Sequence, residues 1–275
     1  MATLEEALSQ AAASRDAGRL DIAENVYRAI LAKFPQNTEA QSGLNDLLAA
    51  QGRSGGTLQQ TEIESLIALY DSGNLGEAAT RAEALIEKFP AALVLHNVLG
   101  AVQMDQDKLV EAVETFRTAL ALEPNGAAGH NNLGIACFDL GDLDTSAASY
   151  REAIRLNPGY VRAHNNLANL HRVAGAYDDA LACCRDALNL ASDDAETHRN
   201  LAVIYRDKGD TAESLASFRR ALELQPGFED AARGVAEVLL ETGRHADGLA
   251  GLRNVFGMIR FDVETGVSVM EGMAS

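Results

Sequence analysis

Four histidines recur along the chain at a constant spacing, and histidine both transfers protons near neutral pH and binds metal ions. They are His96, His130, His164 and His198, each 34 residues after the one before. If each period is one pair of packed helices, equivalent side chains lie on the order of 10 Å apart, whereas zinc ligands must all lie about 2 Å from one ion. The spacing therefore argues against a metal site and favours half-buried packing positions between helices.

No other arrangement of residues in the sequence predicts catalysis. The cysteines are Cys137, Cys183 and Cys184, an odd number, and two neighbours on a helix point in different directions, so neither a disulfide framework nor a zinc site is expected. The sequence has no phosphate-binding glycine loop, no paired-histidine zinc motif and no nucleophile elbow. It therefore predicts a protein that is not an enzyme and needs neither a metal nor a cofactor.

Prolines and glycines at a fixed period mark the elements that position these residues. Pro90, Pro124 and Pro158 are 34 residues apart, and Pro226 follows two periods later. A glycine, or once Asp107, stands between two helical stretches of each period, where a left-handed residue ends a helix. The period predicts successive pairs of helices. With each proline as position 32, the repeats begin at Leu4, Gln59, Leu93, Ala127, Val161, Ala195 and Glu229.

Large, small and aromatic residues recur in matched places inside each period. Positions 7 and 8 read Leu99-Gly100, Leu133-Gly134, Leu167-Ala168 and Leu201-Ala202, and position 24 is Tyr27, Phe116, Tyr150 or Phe218. This pattern resembles the tetratricopeptide repeat family, whose tryptophan position holds the four histidines here. The resemblance covers residues 4–255. It implies an all-α fold, a right-handed α-solenoid of about seven helix pairs.

The repeat boundaries predict the organisation of the chain. A helix pair with an extra helix occupies 1–52, and Arg53-Ser54-Gly55-Gly56 predicts a flexible linker over 53–58. The array occupies 59–255, as repeats 59–92, 93–126, 127–160, 161–194, 195–228 and a partial 229–255. In 256–275, apolar and polar residues alternate around Glu264-Thr265-Gly266, which predicts a short C-terminal β-hairpin. We expect it to fold back as a cap, the alternative being an edge for oligomerisation.

The resemblance also implies which residues face the concave groove, namely those near positions 2, 5, 6, 9, 12 and 13 of each repeat. Amides and arginines at these positions are Asn97, Asn131, Asn132, Arg162, Asn165, Asn166, Asn169, Arg172, Arg199, Asn200 and Arg206. An asparagine side chain can satisfy both polar groups of a peptide backbone, and arginine selects carboxylates.

The asparagines at position 6, Asn132, Asn166 and Asn200, resemble the asparagine ladder in the tetratricopeptide region of O-linked N-acetylglucosamine transferases. In those enzymes the ladder holds the backbone of protein substrates. The alternative is that these asparagines only form hydrogen bonds between neighbouring helices.

The charge of the whole chain narrows the classes of partner. The 275 residues carry a formal charge of -17, which disfavours nucleic acid and anionic membranes. No apolar run is long enough to cross a membrane, and the first residues lack the pattern of a signal peptide. Together with the odd number of cysteines, these features favour a cytoplasmic location.

We therefore expect a non-catalytic scaffold that binds an extended or helical segment of another protein, one carrying acidic residues, in the groove. Self-association through the solenoid ends or the hairpin is a further expectation. The alternative is the substrate-recruiting region of a bacterial transferase or oxygenase system, because residues 58–102 resemble regions that precede such domains in bacterial proteins. A catalytic domain of that kind would not fit after Val255.

Overall fold

The computed structural model describes residues 4–34, 37–50, 58–262 and 266–271. These residues form fifteen helices and two strands, and the chain divides into two compact units, Met1–Asn125 and Gly126–Ser275. The first unit contains α1 (Leu4–Asp16), α2 (Leu20–Lys33), α3 (Thr38–Ala50), α4 (Gln60–Asp71), α5 (Leu75–Lys88), α6 (Leu93–Asp105) and α7 (Leu109–Leu122). The predicted fold class is thus confirmed as essentially all-helical.

Two hydrophobic clusters lie in the described part of the first unit. One joins α1, α2 and α3 and is centred on Tyr27, Ile30 and Leu47, so the extra helix predicted after the first pair packs against that pair. The other joins α4, α5 and α6 around Leu66 and Leu85. The predicted linker at Arg53-Ser54-Gly55-Gly56 lies outside the described residues, and so does Pro35.

The second unit contains eight helices and the two strands. They are α8 (Ala127–Leu140), α9 (Leu143–Leu156), α10 (Val161–Val173), α11 (Tyr177–Leu190), α12 (Ala195–Lys208), α13 (Thr211–Leu224), α14 (Glu229–Glu241), α15 (His245–Phe256), β1 (Gly257–Asp262) and β2 (Gly266–Glu271). β1 and β2 are antiparallel, with Ile259 opposite Val269 and Phe261 opposite Val267. The residues that would join them, 263–265, lie outside the described residues. The capping role stays a prediction.

A left-handed residue separates the two helices of each pair, as the glycine period predicted. Among the described residues these are Gly18, Gly73, Asp107, Gly141, Gly175, Gly209 and Gly243. Gly141, with φ 86°, is the C-cap of α8, and its N–H binds the carbonyl oxygens of the last turn. Asp107 takes the same region, with φ 60°, although it carries a Cβ. Each pair is therefore a helical hairpin with a sharp turn.

The aromatic residue at position 24 packs against a glycine, but not always the same one. Phe116 and Tyr150 lie over the position 8 glycine of their own repeats, where a Cβ on Gly100 or Gly134 would come within 2.6 Å of the ring. Two other rings use position 6 of the following helix instead. These pairs are Tyr27 with Gly43 and Phe218 with Gly234. The helices can pack closely because one glycine per ring leaves room for it.

Candidate functional site

A pocket of about 240 Å³ lies on the wall formed by α10, α12 and α14, the first helices of three successive repeats. Five of the predicted groove residues line it, namely Asn169, Arg172, Arg199, Asn200 and Arg206. Three further charged residues, Asp230, Arg233 and Glu237, complete its rim. The structure thus brings the C-terminal part of the predicted set around one opening.

Ion pairs between successive repeats orient three of these arginines. Arg172 Nη1 donates to Asp207 Oδ2 at 2.6 Å, and Arg206 Nη1 donates to Glu237 Oε2 at 2.6 Å. Arg199 Nη2 lies 3.3 Å from Asp230 Oδ2. The paired groups remain partly exposed, so each pair contributes modestly to stability. Its main effect is to hold a guanidinium at a defined place on the wall.

The guanidinium groups keep donors that these pairs do not use. A guanidinium has five N–H donors, and Arg206 uses Nη1 for its bond to Glu237. Arg199 Nη1 donates to Asn200 Oδ1 at 2.8 Å, which fixes the amide beside it. Arg233 pairs with Asp230 and lies 3.9 Å from Glu237 Oε1. The pocket lining has four arginines and two carboxylates, so its excess charge is positive in an acidic chain.

Two predicted groove asparagines are buried between repeats. Asn131 and Asn165 are 1% and 4% exposed. Asn131 Oδ1 accepts a hydrogen bond from Asn166 Nδ2 at 2.9 Å. Asn165 Oδ1 accepts one from Thr197 Oγ1 at 2.9 Å, and its Nδ2 lies 3.3 Å from Asp194 Oδ2. Position 5 of these two repeats therefore faces the following repeat, and these amides join neighbouring helices.

The position 6 asparagines remain partly exposed. Asn132, Asn166 and Asn200 are all of intermediate exposure. Asn166 Nδ2 donates to Asn131, and Asn200 Oδ1 accepts from Arg199. Asn166 Oδ1 and Asn200 Nδ2 take no part in those two bonds. Of the remaining predicted residues, Arg162 is exposed on α10 outside the pocket lining, and Asn97 lies in the first unit.

Sequence reasoning missed the charged residues that α14 contributes. Arg233 stands at position 5 of its repeat, the position of Arg199, and Asp230 and Glu237 stand at positions 2 and 9. All three stand at groove positions, but the prediction was restricted to amides and arginines of the better-matched repeats. Applying the frame to residues 229–255, and to acidic residues as well, would have found them.

The periodic histidines have a structural role. His164 Nε2 donates to the carbonyl oxygen of Pro158 at 3.1 Å, and His96 makes the same bond to Pro90 at 2.9 Å. His198 Nε2 lies 3.1 Å from the carbonyl oxygen of Ser192, which replaces proline there. Each of these histidines therefore ties a first helix to the loop that precedes it. Among the described residues, no group of three or more histidine, cysteine or acidic side chains is placed to hold a metal ion.

Cys183 and Cys184 are poor nucleophiles in the folded chain. Burial raises the pKa of the Cys184 thiol to about 12 and that of Cys183 to about 11. The thiolate is the reactive form, and little of it forms at neutral pH. Cys184 stands at position 24, where four other repeats carry an aromatic residue, and it is fully buried in a cluster with Ala168, Leu181 and Ile204.

Comparison with known proteins decides the family. One sequence profile described as tetratricopeptide repeat matches residues 8–56, 66–127 and 97–161. A second profile with the same description matches residues 160–226. The matches of a single profile cover more than half of the chain. The chain belongs to the tetratricopeptide repeat family. No curated protein is similar enough to count as a relative.

Solved structures of other tetratricopeptide repeat proteins share the fold. A thermophilic one from Thermus thermophilus is 26% identical, with a TM-score of 0.59 over 66% of this chain and 98% of its own. One from Parabacteroides merdae is 22% identical, with a TM-score of 0.60 over 72% and 78%. YrrB, described as having an unusual peptide-binding site, is 18% identical, with a TM-score of 0.50 over 72% and 96%.

Tetratricopeptide repeat proteins are generally scaffolds that bind other proteins, and some of them bind peptides. Proteins of this fold are typically non-catalytic. In the part of the chain that the structure describes, no helix combines the length and the apolar character needed to cross a bilayer.

Proposed function

We propose that this tetratricopeptide repeat protein binds an extended segment of another polypeptide along the wall formed by α8, α10, α12 and α14. The observation that carries the proposal is the pocket where Asn169, Arg172, Arg199, Asn200 and Arg206 meet. Polar donors and acceptors concentrated on one face of stacked helices suit a chain with unpaired backbone groups.

The amides at position 6 contact the backbone of the bound segment. Asn132, Asn166 and Asn200 recur once per repeat and stay partly exposed. An amide presents a donor and an acceptor together, which matches the N–H and C=O of an extended residue whatever its side chain. The asparagines thus supply affinity that does not depend on the sequence of the partner.

The arginines favour acidic side chains in the partner. Arg172, Arg199 and Arg206 are already oriented by carboxylates of the next repeat, so little conformational entropy is lost when a ligand binds. Their unused N–H groups and the positive excess of the pocket attract a further carboxylate. The alternative function, recruitment for a transferase or oxygenase system, rests only on the resemblance of residues 58–102 and is not favoured.

The experiment is selection from a library of displayed random peptides, followed by affinity measurement with purified variants. Replacing Asn132, Asn166 and Asn200 together by Ala should weaken the selected peptides about tenfold or more, because several hydrogen bonds of about 1 kcal/mol each are lost. The helical circular dichroism should not change. Binding should also weaken at high salt, since the arginines remain exposed to solvent.

The matched control is Asn189→Ala, an exposed asparagine on the second helix of its repeat. This variant should bind the peptides like the parent chain. If the library yields no binder, or if binders tolerate the triple replacement as well as the control, the wall is not the binding surface.

A further inference from the structure

The pocket lies where the last repeat has no side chain at position 6. The three preceding repeats carry Asn132, Asn166 and Asn200 there, whereas the last carries Gly234. The ring of Phe218 lies directly beneath, and a Cβ on Gly234 would overlap it. The row of amides therefore ends at an opening above an aromatic ring.

Apolar side chains lie beneath the charged rim of this opening. Phe218 and Ile204 are each 1% exposed, and both line the pocket together with the half-buried Val203. The rim holds four arginines and two carboxylates. Arginine rims suit such a site because the planar guanidinium stacks on apolar and aromatic groups while it binds a carboxylate.

We infer that this pocket, defined by Val203, Ile204, Phe218 and Gly234, is a subsite for one leucine-sized apolar side chain of the bound segment, flanked by an acidic residue that the surrounding arginines bind. The inference rests on the proposed function, since it assumes that a polypeptide lies on the wall. The pocket has a volume of about 240 Å³, which accommodates one leucine-sized side chain. The positive charge of the rim favours an acidic residue next to that side chain.

The test uses a labelled peptide with blocked ends in which one leucine stands between glutamates, and a partner peptide with serine in place of that leucine. Fluorescence polarisation should show that the parent chain binds the leucine peptide about tenfold more tightly, as expected for burying one such side chain. The variant Val203→Asn copies Asn169, the residue at the same position of the preceding repeat, and should abolish this preference.

Val173→Asn is the matched control, because Val173 is 51% exposed on α10 and does not line the pocket. It should keep the preference for leucine. Equal binding of the two peptides, with Asn200→Ala still weakening both, would overturn the subsite and leave the groove intact. A preference that survives Val203→Asn would also overturn the subsite. Failure of both peptides to bind would overturn the groove and the subsite together.

Discussion

Asp107 takes a backbone conformation that its counterparts in the other described repeats leave to glycine. Its φ of 60° lies in the left-handed region, where a residue with a Cβ is strained by about 1–2 kcal/mol, less for aspartate than for most residues. At Gly141, which has φ 86°, a Cβ would meet nothing within 4 Å, so substitution there would introduce backbone strain without a steric clash. Replacing Asp107 by glycine would therefore remove backbone strain, and replacing Gly141 by alanine would introduce it.

We predict that Asp107→Gly raises the free energy of unfolding by up to about 1 kcal/mol, since the released strain exceeds the extra chain entropy of glycine. Gly141→Ala should lower it by about 1 kcal/mol for the converse reason. Urea unfolding measures both changes. A loss of stability in Asp107→Gly would mean that the aspartate side chain makes a contact that outweighs its strain.

The buried thiols give a prediction for pH dependence. Because burial raises the pKa of Cys183 to about 11, its labelling by iodoacetamide in the folded chain should keep accelerating as the pH rises towards that value. The same cysteine in urea should approach its full rate near its ordinary pKa, about 8.5. Single-cysteine variants separate Cys183 from the fully buried Cys184, which should react only after unfolding. Equal rates in the folded and unfolded chain would contradict the burial.

The candidate site was predictable only in part at this scale. The residue types at the groove positions identified Arg172, Arg199 and Arg206, which do surround one pocket. The sequence could not separate Asn131 and Asn165 from their exposed neighbours, because position 5 points towards the next repeat and its burial depends on that repeat's packing. The carboxylate partners of the arginines lie one repeat further along, beyond any local pattern.

At the scale of the helix, the breaks could be predicted and the packing of the rings could not. Glycine spacing located every turn between paired helices in the described residues. Small residues and the position 24 rings recur together in the sequence, but which glycine each ring uses depends on two repeats together. Tyr150 has Gly134 in its own repeat, and Asn166 follows at position 6; Phe218 has Ala202, and Gly234 follows.

Cys184 stands at position 24 without an aromatic ring and so tests this relation. Its repeat offers Ala168 at position 8, and Asn200 follows at position 6, so neither position has a glycine to receive a ring. We predict that Cys184→Phe lowers the free energy of unfolding by about 1–3 kcal/mol through overpacking. Adding Ala168→Gly should recover part of this loss, because it recreates the combination of Gly134 and Tyr150.

A double-mutant cycle in urea measures that coupling, with Ala168→Gly alone correcting for the cost of glycine in a helix, about 1 kcal/mol. An interaction energy near zero would show that the ring does not use position 8. A fully stable Cys184→Phe would show that the cluster of Cys184 with Ile204 and Leu181 has room to spare.

At the scale of the whole molecule, stabilising contacts in the described part of the second unit join adjacent repeats. The ion pair of Arg172 with Asp207 and the hydrogen bond of Asn165 with Thr197 both join adjacent repeats. An array held by neighbour contacts is most stable where a repeat has two neighbours. Its ends should open first.

Hydrogen exchange measured by mass spectrometry tests this expectation in the second unit. Backbone amides of α10, α11 and α12 should exchange most slowly, and those of α15 fastest, since α15 belongs to the last helix pair. This difference in exchange rate along the unit should persist at low denaturant concentration. Uniform exchange from α8 to α15 would indicate that the unit opens as a single cooperative structure.

The pairing of rings with glycines across repeat boundaries also limits how the gene can change in length. Deleting residues 161–194 would join Tyr150, which has its own Gly134, to a repeat with Asn200, a combination equivalent to the present one with Asn166. Deleting residues 195–228 would instead place Cys184 before Gly234 and leave a void the size of an aromatic ring. Repeats that look interchangeable are therefore not equally dispensable, and the array can be shortened cleanly at one repeat but not at the next.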